Sequence, residues 1–563
     1  MKLIESVLHG HEATKIVRYA DLPKDFPGTV AFDDLPNISR PGVLKMCRYV
    51  GGKLTQVYSQ NENHVGVIAA TRLGKTTSYV VPTILSFARQ KTKKSMIISD
   101  PKGEVYKNTA NALREQGYDV RLFNFRDFMH SEYWNPLTKI YRAFHEAYAV
   151  DSTVKSIDTP QGRLHEYNGV TYDSISKLKE TIQTVHKLEL AKVDYLIDNV
   201  VCSVISVTKK DDPYWEETAR EVLKACIWGL LEDSLESNTT RTRVTEETFS
   251  FSTILTITDS MGDDGDGFGD HGFFTSRPPT SKALSYAKLS LLHNAPNTRK
   301  CVLSTFNTCL RLYKESTVRI ITSCNSFELS ELADETKPIA VFIDYRDENK
   351  DHYKIISSFV QSAYTYLIEY ANAKPHGKLD APFYFILDEF GNFPEIKDFE
   401  TVISACAGRN IFFILILQSY AQLNNVYGEN VAAIIRDNLN MHVFMGSNNP
   451  ETLEVFSKEC GETTKIAPFS ALNGNGEKID TYHIETIPLV PKSALSNLGE
   501  GECIITEANC GYVMFTELIR FFKCDRFEAI RAQQDDYVSK INPLDNKYFF
   551  KPKRIKPQRR FDF

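Results

Sequence analysis

One stretch constrains this chain more than any other: His64-Val65-Gly66-Val67-Ile68-Ala69-Ala70-Thr71-Arg72-Leu73-Gly74-Lys75-Thr76-Thr77. The apolar run from Val65 to Ala70 predicts a buried strand. Ala69-x-x-x-x-Gly74-Lys75-Thr76 then reads as a loop that opens a helix, expected over residues 77–90 with Pro82 near its middle. Small residues at both ends let the backbone wrap a phosphate, so that amide N–H groups point inward. The loop set is Ala69, Ala70, Thr71, Arg72, Leu73, Gly74, Lys75, Thr76 and Thr77, with Ala69 where the usual pattern has Gly. Lys75 is placed to reach the outer phosphates of ATP, and the Thr76 hydroxyl to ligate Mg²⁺.

Strands and helices alternate after this loop. Residues 95–100 predict a second strand, running into the turn Asp100-Pro101-Lys102-Gly103-Glu104. A helix over 105–116 stops at Gly117, and residues 120–125 predict a third strand. This order argues for an α/β fold with a mainly parallel sheet. Residues 142–173 are polar and turn-rich, an expected insertion, and helical spacing resumes over 176–207. Trp215, Ala219, Val222, Leu223, Cys226, Ile227 and Leu230 form an apolar stripe on the next helix, read as packing rather than as a ligand site. With residues 281–315 also helical, the expected division is a lead-in at 1–56, an α/β domain from 57–205 and 320–545, an inserted all-α domain at 206–319, and a basic tail at 546–563.

The partner of the loop is expected in Phe383-Tyr384-Phe385-Ile386-Leu387-Asp388-Glu389. A buried strand carries Asp388 to its end, where the carboxylate can hold Mg²⁺; Glu389 is placed to polarise an attacking water. A further strand over 411–417 ends at Gln418, an amide positioned to sense the outermost phosphate. Arg409, just before that strand, and Arg436, in a following helix, are both candidates for an arginine supplied to a neighbouring subunit's site.

Composition narrows the alternatives. The net charge of −6 announces no nucleic acid, so any DNA contact must use local patches. Eleven scattered cysteines without a Cys-x-x-Cys pair suit reduced thiols rather than a disulfide framework. No apolar run approaches the ~18 residues of a membrane span, and the first residues lack a signal-peptide core. The acidic, glycine-rich run at 259–272 lacks the downstream Glu of a Ca²⁺ loop and reads as a solvated loop. Seven basic residues between Lys547 and Arg560, interleaved with aromatics and prolines, suit a phosphate backbone, anionic lipid heads or a solubilising tail alike.

The loop at 69–76, Asp100-Pro101-Lys102-Gly103-Glu104, Trp134-Asn135-Pro136-Leu137, Tyr214-Trp215, Leu387-Asp388-Glu389-Phe390 and Leu417-Gln418-Ser419 occur in one order. That order resembles the coupling ATPases of type IV secretion and conjugation systems, over roughly residues 60–520. The resemblance implies a RecA-like nucleotide-binding domain with an inserted all-helical domain, ATP and Mg²⁺, and a hexameric ring. It implies that single-stranded DNA is bound largely without regard to sequence, and that a relaxase and membrane-embedded channel proteins are partners. Lys75, Thr76, Asp388, Glu389 and Gln418 match the family's site positions. Most members begin with transmembrane helices; the expectation here is a variant on the cytoplasmic face of the membrane, docked on a separate anchor. The alternatives are a docking adaptor that uses nucleotide only as a switch, and a general DNA translocase or helicase.

Overall fold

The computed structural model describes residues 15–18, 29–37, 42–50, 53–59, 61–149, 155–159, 162–167, 170–172, 174–205, 207, 212–235, 241–259, 261, 272–346, 348, 352–472, 478–524, 537–539 and 541–548. Strands begin with β1 (Lys15–Arg18), β2 (Thr29–Ala31), β3 (Leu44–Val50), β4 (Lys53–Tyr58), β5 (Val65–Ala69), β6 (Ser95–Asp100) and β7 (Asp119–Asn124). Then follow β8 (Lys155–Thr159), β9 (Gly162–Tyr167), β10 (Val170–Tyr172), β11 (Ile339–Asp344), β12 (Phe383–Leu387) and β13 (Ile411–Leu417). The last are β14 (Met441–Gly446), β15 (Glu462–Leu472), β16 (Lys478–Pro488), β17 (Glu502–Glu507) and β18 (Tyr512–Glu517). Two units result: Met1–Asn124 with Leu329–Tyr537, and Phe125–Glu328 with Val538–Phe563.

The first unit is built on a ten-stranded sheet in the order β1-β18-β17-β14-β5-β13-β12-β6-β11-β7. Strands β5, β12 and β13 are buried at every residue. Their unbroken apolar runs, rather than an alternating pattern, suit central parallel strands covered on both faces. Face-to-face rings lock β12 to β13: Phe385 stacks on Phe413 at 5.0 Å and Tyr384 on Phe412 at 5.4 Å. Only β17 runs against its neighbours β14 and β18; the other pairs of this sheet are parallel. The expected mainly parallel α/β sheet is what forms.

Register sets the functional edge. Leu387 pairs with Ser99 and with Leu415, Leu417 pairs with Ile68, and Asp344 pairs with Asp100. The residues that follow β5, β12 and β13 therefore emerge on one side of the sheet. The chain leaves β5 toward β6 on one flank and crosses from β13 to β14 on the other, so a crevice opens beside β5.

Several expectations need correction. The helix after the loop is not a single α-helix with Pro82 at its middle. A wide π-turn spans Lys75–Val80, and the α-helix Val81–Arg89 places Pro82 in its first turn. Proline lacks the N–H that a helix interior needs, and the first turn has no use for it. The lead-in at 1–56 supplies more than a hairpin: with β4, β2 and β3 form a small sheet whose Leu44, Leu54, Val57 and Tyr58 join the core, and β1 lengthens the main sheet. The stretch 142–173 is not all turn, because Thr138–Tyr148 is a helix and β8, β9 and β10 form an antiparallel sheet. The units divide at residues 124/125 and 328/329, against the expected insert at 206–319, and the second unit carries that small sheet besides its helices.

In the second unit, the helices Ile175–Val204 and Tyr214–Ser234 supply the core. Six residues of the expected stripe are packing: Ala219, Val222, Leu223, Cys226, Ile227 and Leu230 have no exposed surface, whereas Trp215 at its start is half-buried, and burial pushes the Cys226 thiol up to about 12. Asn135, from Trp134-Asn135-Pro136-Leu137, is a buried bracket. Its amide donates to Phe249 O at 2.7 Å, its carbonyl accepts from Leu137 N at 3.0 Å, and its own N–H donates to Asn325 Oδ1 at 2.8 Å. Asn135→Ala is expected to destabilise this unit by about 2 kcal/mol, since two buried backbone groups lose their partners. A shift of the urea midpoint at unchanged slope checks it; an unshifted midpoint contradicts the bracket. The 259–272 run lies largely outside the described residues, and the tail lies outside them beyond Tyr548.

Candidate nucleotide-binding site

The loop between β5 and the π-turn is shaped by backbone conformations that few residues adopt. Gly74 and Arg72 both have positive φ, +84° and +70°. Gly74 takes this conformation without strain, whereas Arg72 must be held in it. The loop is pinned at both ends: Ala70 N donates to Gly446 O at the end of β14 at 2.9 Å, and Ser78 N donates to Gly74 O at 2.8 Å. Thr77 Oγ1 also donates to Gly74 O, at 3.2 Å. Lys75 and Thr76 begin a helical segment, so their amide N–H groups have no acceptor inside it. Thr71 and Arg72 are exposed; Leu73, Gly74, Lys75, Thr76 and Thr77 are half-buried; Ala69 is buried and Ala70 half-buried.

Across the crevice, Asp388 follows the last residue of β12. Its backbone carbonyl accepts from Ser99 Oγ at 3.1 Å, and its carboxylate accepts from Glu389 N at 2.9 Å. Glu389 has φ +55°, which turns its side chain back toward the loop. Lys75 Nζ lies 3.0 Å from Asp388 Oδ1 and is also bonded to Glu389 Oε1. Gln418 Nε2 donates to Glu389 Oε2 at 2.8 Å. Burial pulls the Lys75 ammonium down, but the Asp388 and Glu389 carboxylates outweigh it and hold it above its ordinary range. Burial raises the Asp388 carboxyl, with Lys75 opposing and Glu389 adding to the rise.

The arrangement thus brings together Lys75, Asp388, Glu389 and Gln418 from three adjacent strand ends. The donors suit an Mg²⁺-bound triphosphate: an ammonium and free amides for phosphate oxygens, and the hard oxygens of Thr76 and Asp388 for the metal.

Arg409 is not brought to this site. It precedes β13, whereas Gln418 follows it, and a seven-residue strand separates their ends by roughly 23 Å. Its guanidinium is bonded to Asn372 Oδ1 and Ala405 O, both at 2.8 Å. Arg436 lies over the Tyr420 ring at 5.2 Å and donates to Asn424 Oδ1 at 3.2 Å.

Two carboxylates of the same edge carried no assigned role. Asp100 ends β6 and Asp344 ends β11, beside Asp388. The signal was present, an apolar run closed by Asp, but only register shows that the three ends are neighbours. The Asp100 carboxylate accepts from Tyr106 N at 2.8 Å. A Cβ on Gly103, whose φ is +67°, would meet Asp344 Oδ2 at 2.7 Å. The Asp100-Pro101-Lys102-Gly103-Glu104 turn therefore needs glycine to close over the Asp344 carboxylate.

Burial pushes Asp100 up to about 7 from its ordinary 3.8, with Asp344 and Asp388 adding to the rise against the amides of Tyr106 and Val105. Between these values the folded chain holds more protons than the unfolded one, so this group's contribution to stability falls as pH rises through that window. Asp100→Asn is expected to gain about 2 kcal/mol at pH 8 and to flatten the stability profile between about pH 4 and pH 7. An unchanged profile in chemical denaturation contradicts the assignment.

A family model described as type IV secretory system conjugative DNA transfer matches residues 31–540. Protein VirD4 of Agrobacterium fabrum is 22% identical over 435 residues, covering 76% of this chain and 53% of that protein. The conjugal transfer protein TraG of Escherichia coli is 23% identical over 439 residues, covering 74% of this chain and 59% of that protein. The chain spans a little over half the length of these curated relatives. Among solved structures, the unbound bacterial conjugative coupling protein TrwBdeltaN70 superposes with a TM-score of 0.58 at 15% identity, covering 96% of this chain and 98% of that one. The plasmid coupling protein TrwB in complex with ADP and Mg²⁺ gives 0.56 at 15% identity, covering 95% and 97%. These likenesses show the RecA-like P-loop fold.

Proposed function

Because the chain belongs to the type IV secretory system conjugative DNA transfer family, we propose that it is a coupling ATPase of a conjugation or secretion apparatus. In this reading it receives relaxase-bound DNA, or a protein substrate, and uses ATP hydrolysis to deliver it to a membrane channel. The observation that carries the proposal is Lys75 held between Asp388 and Glu389, with Gln418 on Glu389, at the mouth of a loop shaped for phosphate.

The side chains divide the work. The amides of Gly74, Lys75 and Thr76 cradle the phosphate tail, and Lys75 leaves the two acids to meet its outer oxygens. That movement would free the Asp388 carboxylate, and Asp388 with the Thr76 hydroxyl would hold Mg²⁺, which when bound neutralises phosphate charge. Glu389 is left to orient and deprotonate a water, with Gln418 fixing its carboxylate and reporting whether the outermost phosphate is in place. Arg409 stands too far from its own subunit's loop, so it serves only a neighbouring copy's site, which fits a ring with nucleotide between subunits.

Single-stranded DNA bound without regard to sequence, a relaxase and membrane-embedded channel proteins are the proposed partners. No helix among the described residues is long and apolar enough to cross a membrane; the proposed place of work is the cytoplasmic face of the membrane, beside the channel. ATP turnover by the full chain, with and without single-stranded DNA, tests the proposal. DNA-stimulated hydrolysis supports the motor; tight nucleotide binding with no turnover under either condition replaces it with the nucleotide-switched adaptor.

A further inference from the structure

The opposite flank of the phosphate loop carries a second set of groups. Strand β14 is parallel to β5, β17 is antiparallel to β14, and β18 is antiparallel to β17. Hence β18 runs with β5, and its C-terminal end opens on the same edge. The acids of β12 and the amide after β13 lie on one side of β5, whereas β14, β17 and β18 lie on the other. Three residues past β18 comes Arg520, followed by a short turn, Phe521–Lys523. A Cβ built on Gly74 would lie 3.6 Å from Arg520 Nε, so this guanidinium rests against the glycine that closes the phosphate loop.

We propose that Arg520 and Phe522 form the subsite for the inner phosphate and the base of a bound nucleoside di- or triphosphate, an inference that rests on the phosphate-loop reading above. A phosphate tail is linear: with its outer end at Lys75 and the acid pair, its inner end points to the other flank, where Arg520 waits. The present partner of Arg520 is exchangeable. Its NH2 lies 3.0 Å from Glu500 Oε1, and both side chains are solvent-accessible, at 29% and 63%. Such a pair contributes little and yields readily to a phosphate. The Arg520 guanidinium also stands 5.9 Å from the centroid of Phe522, whose ring is 42% exposed. An exposed aromatic beside a cation is a stacking platform for any base. Between them Phe521 is buried in the same core as Tyr79 and Val80 of the loop's own helical turn, so the subsite is fixed to the loop.

Calorimetric titration of the full chain with ADP and with inorganic tripolyphosphate tests this. Arg520→Ala is expected to weaken ADP about ten-fold, with Arg520→Lys recovering part of the loss. Phe522→Ala is expected to weaken ADP about five-fold while leaving tripolyphosphate unchanged. A structural role alone would not separate the two ligands. Lys75→Ala, run in parallel, tells the two failures apart. Lost ADP binding in Lys75→Ala, with Arg520→Ala and Phe522→Ala both unchanged, overturns this inference and leaves the phosphate loop assigned. Wild-type binding by Lys75→Ala overturns the phosphate-loop reading and this inference with it.

Discussion

Lys75→Ala is expected to abolish ATP turnover, by at least about 100-fold, and to weaken nucleotide binding by a similar order. Among the described residues Lys75 is the ammonium held on Asp388 and Glu389, so without it phosphate charge there would go unmatched. The same change reaches the nucleotide-free protein. Lys75 bridges Asp388 and Glu389, and its removal leaves two carboxylates facing one another in a partly dry crevice. Breaking such a pair from one side costs about 3 kcal/mol, unless one acid takes up a proton. Burial already raises Asp388, and losing the cation raises it further. A carboxyl raised above its unfolded value contributes less stability as pH rises. The variant should therefore lose more stability at pH 8 than at pH 5. Lys75→Met, which keeps the stem but not the charge, should behave alike. Unchanged turnover, or a stability loss independent of pH, would set Lys75 outside the site.

Glu389→Gln separates binding from chemistry. The amide has the shape of the carboxylate, and its one oxygen can still accept from Gln418 Nε2 once Lys75 has moved off onto the phosphates. It can no longer take a proton from water. ATP affinity is expected to stay within about three-fold of wild type while turnover falls about 10²- to 10⁴-fold. Titration with a non-hydrolysable analogue, alongside steady-state hydrolysis, reads both quantities. Equal loss of the two would mean that Glu389 holds the ligand rather than activating water.

What could be read in the chain, and what could not, follows from where each signal lives. The loop, the Asp388-Glu389 pair and Gln418 are each a chemical group placed at the end of an apolar run, and buried central strands advertise themselves by such runs. Their convergence needed only the inference that parallel strands share one edge. Asp100 and Asp344 looked the same locally, yet a strand closed by one acid also describes a solvated end, and strand order alone sets them beside Asp388. Arg409 precedes β13, so it sits at the opposite end of that strand from Gln418, and only strand direction shows this. β1 is four residues long at a sheet edge, too short for a periodic signal, and its pairing with β18 spans most of the chain. Pro82 was read as a mid-helix residue because the π-turn before it has no sequence mark. Arg520 belongs to no motif; it matters only because β18 returns to the edge where Gly74 lies.

The structure of the full chain with Mg²⁺ and a non-hydrolysable ATP analogue tests the central claim most directly. The expected result is a triphosphate over the amides of residues 74–76, Lys75 drawn off the acid pair onto the outer phosphates, and one Mg²⁺ shared by Thr76 and Asp388. A nucleotide bound elsewhere, or Thr76 and Asp388 too far apart to share that ion with Lys75 still bridging the two acids, would contradict it.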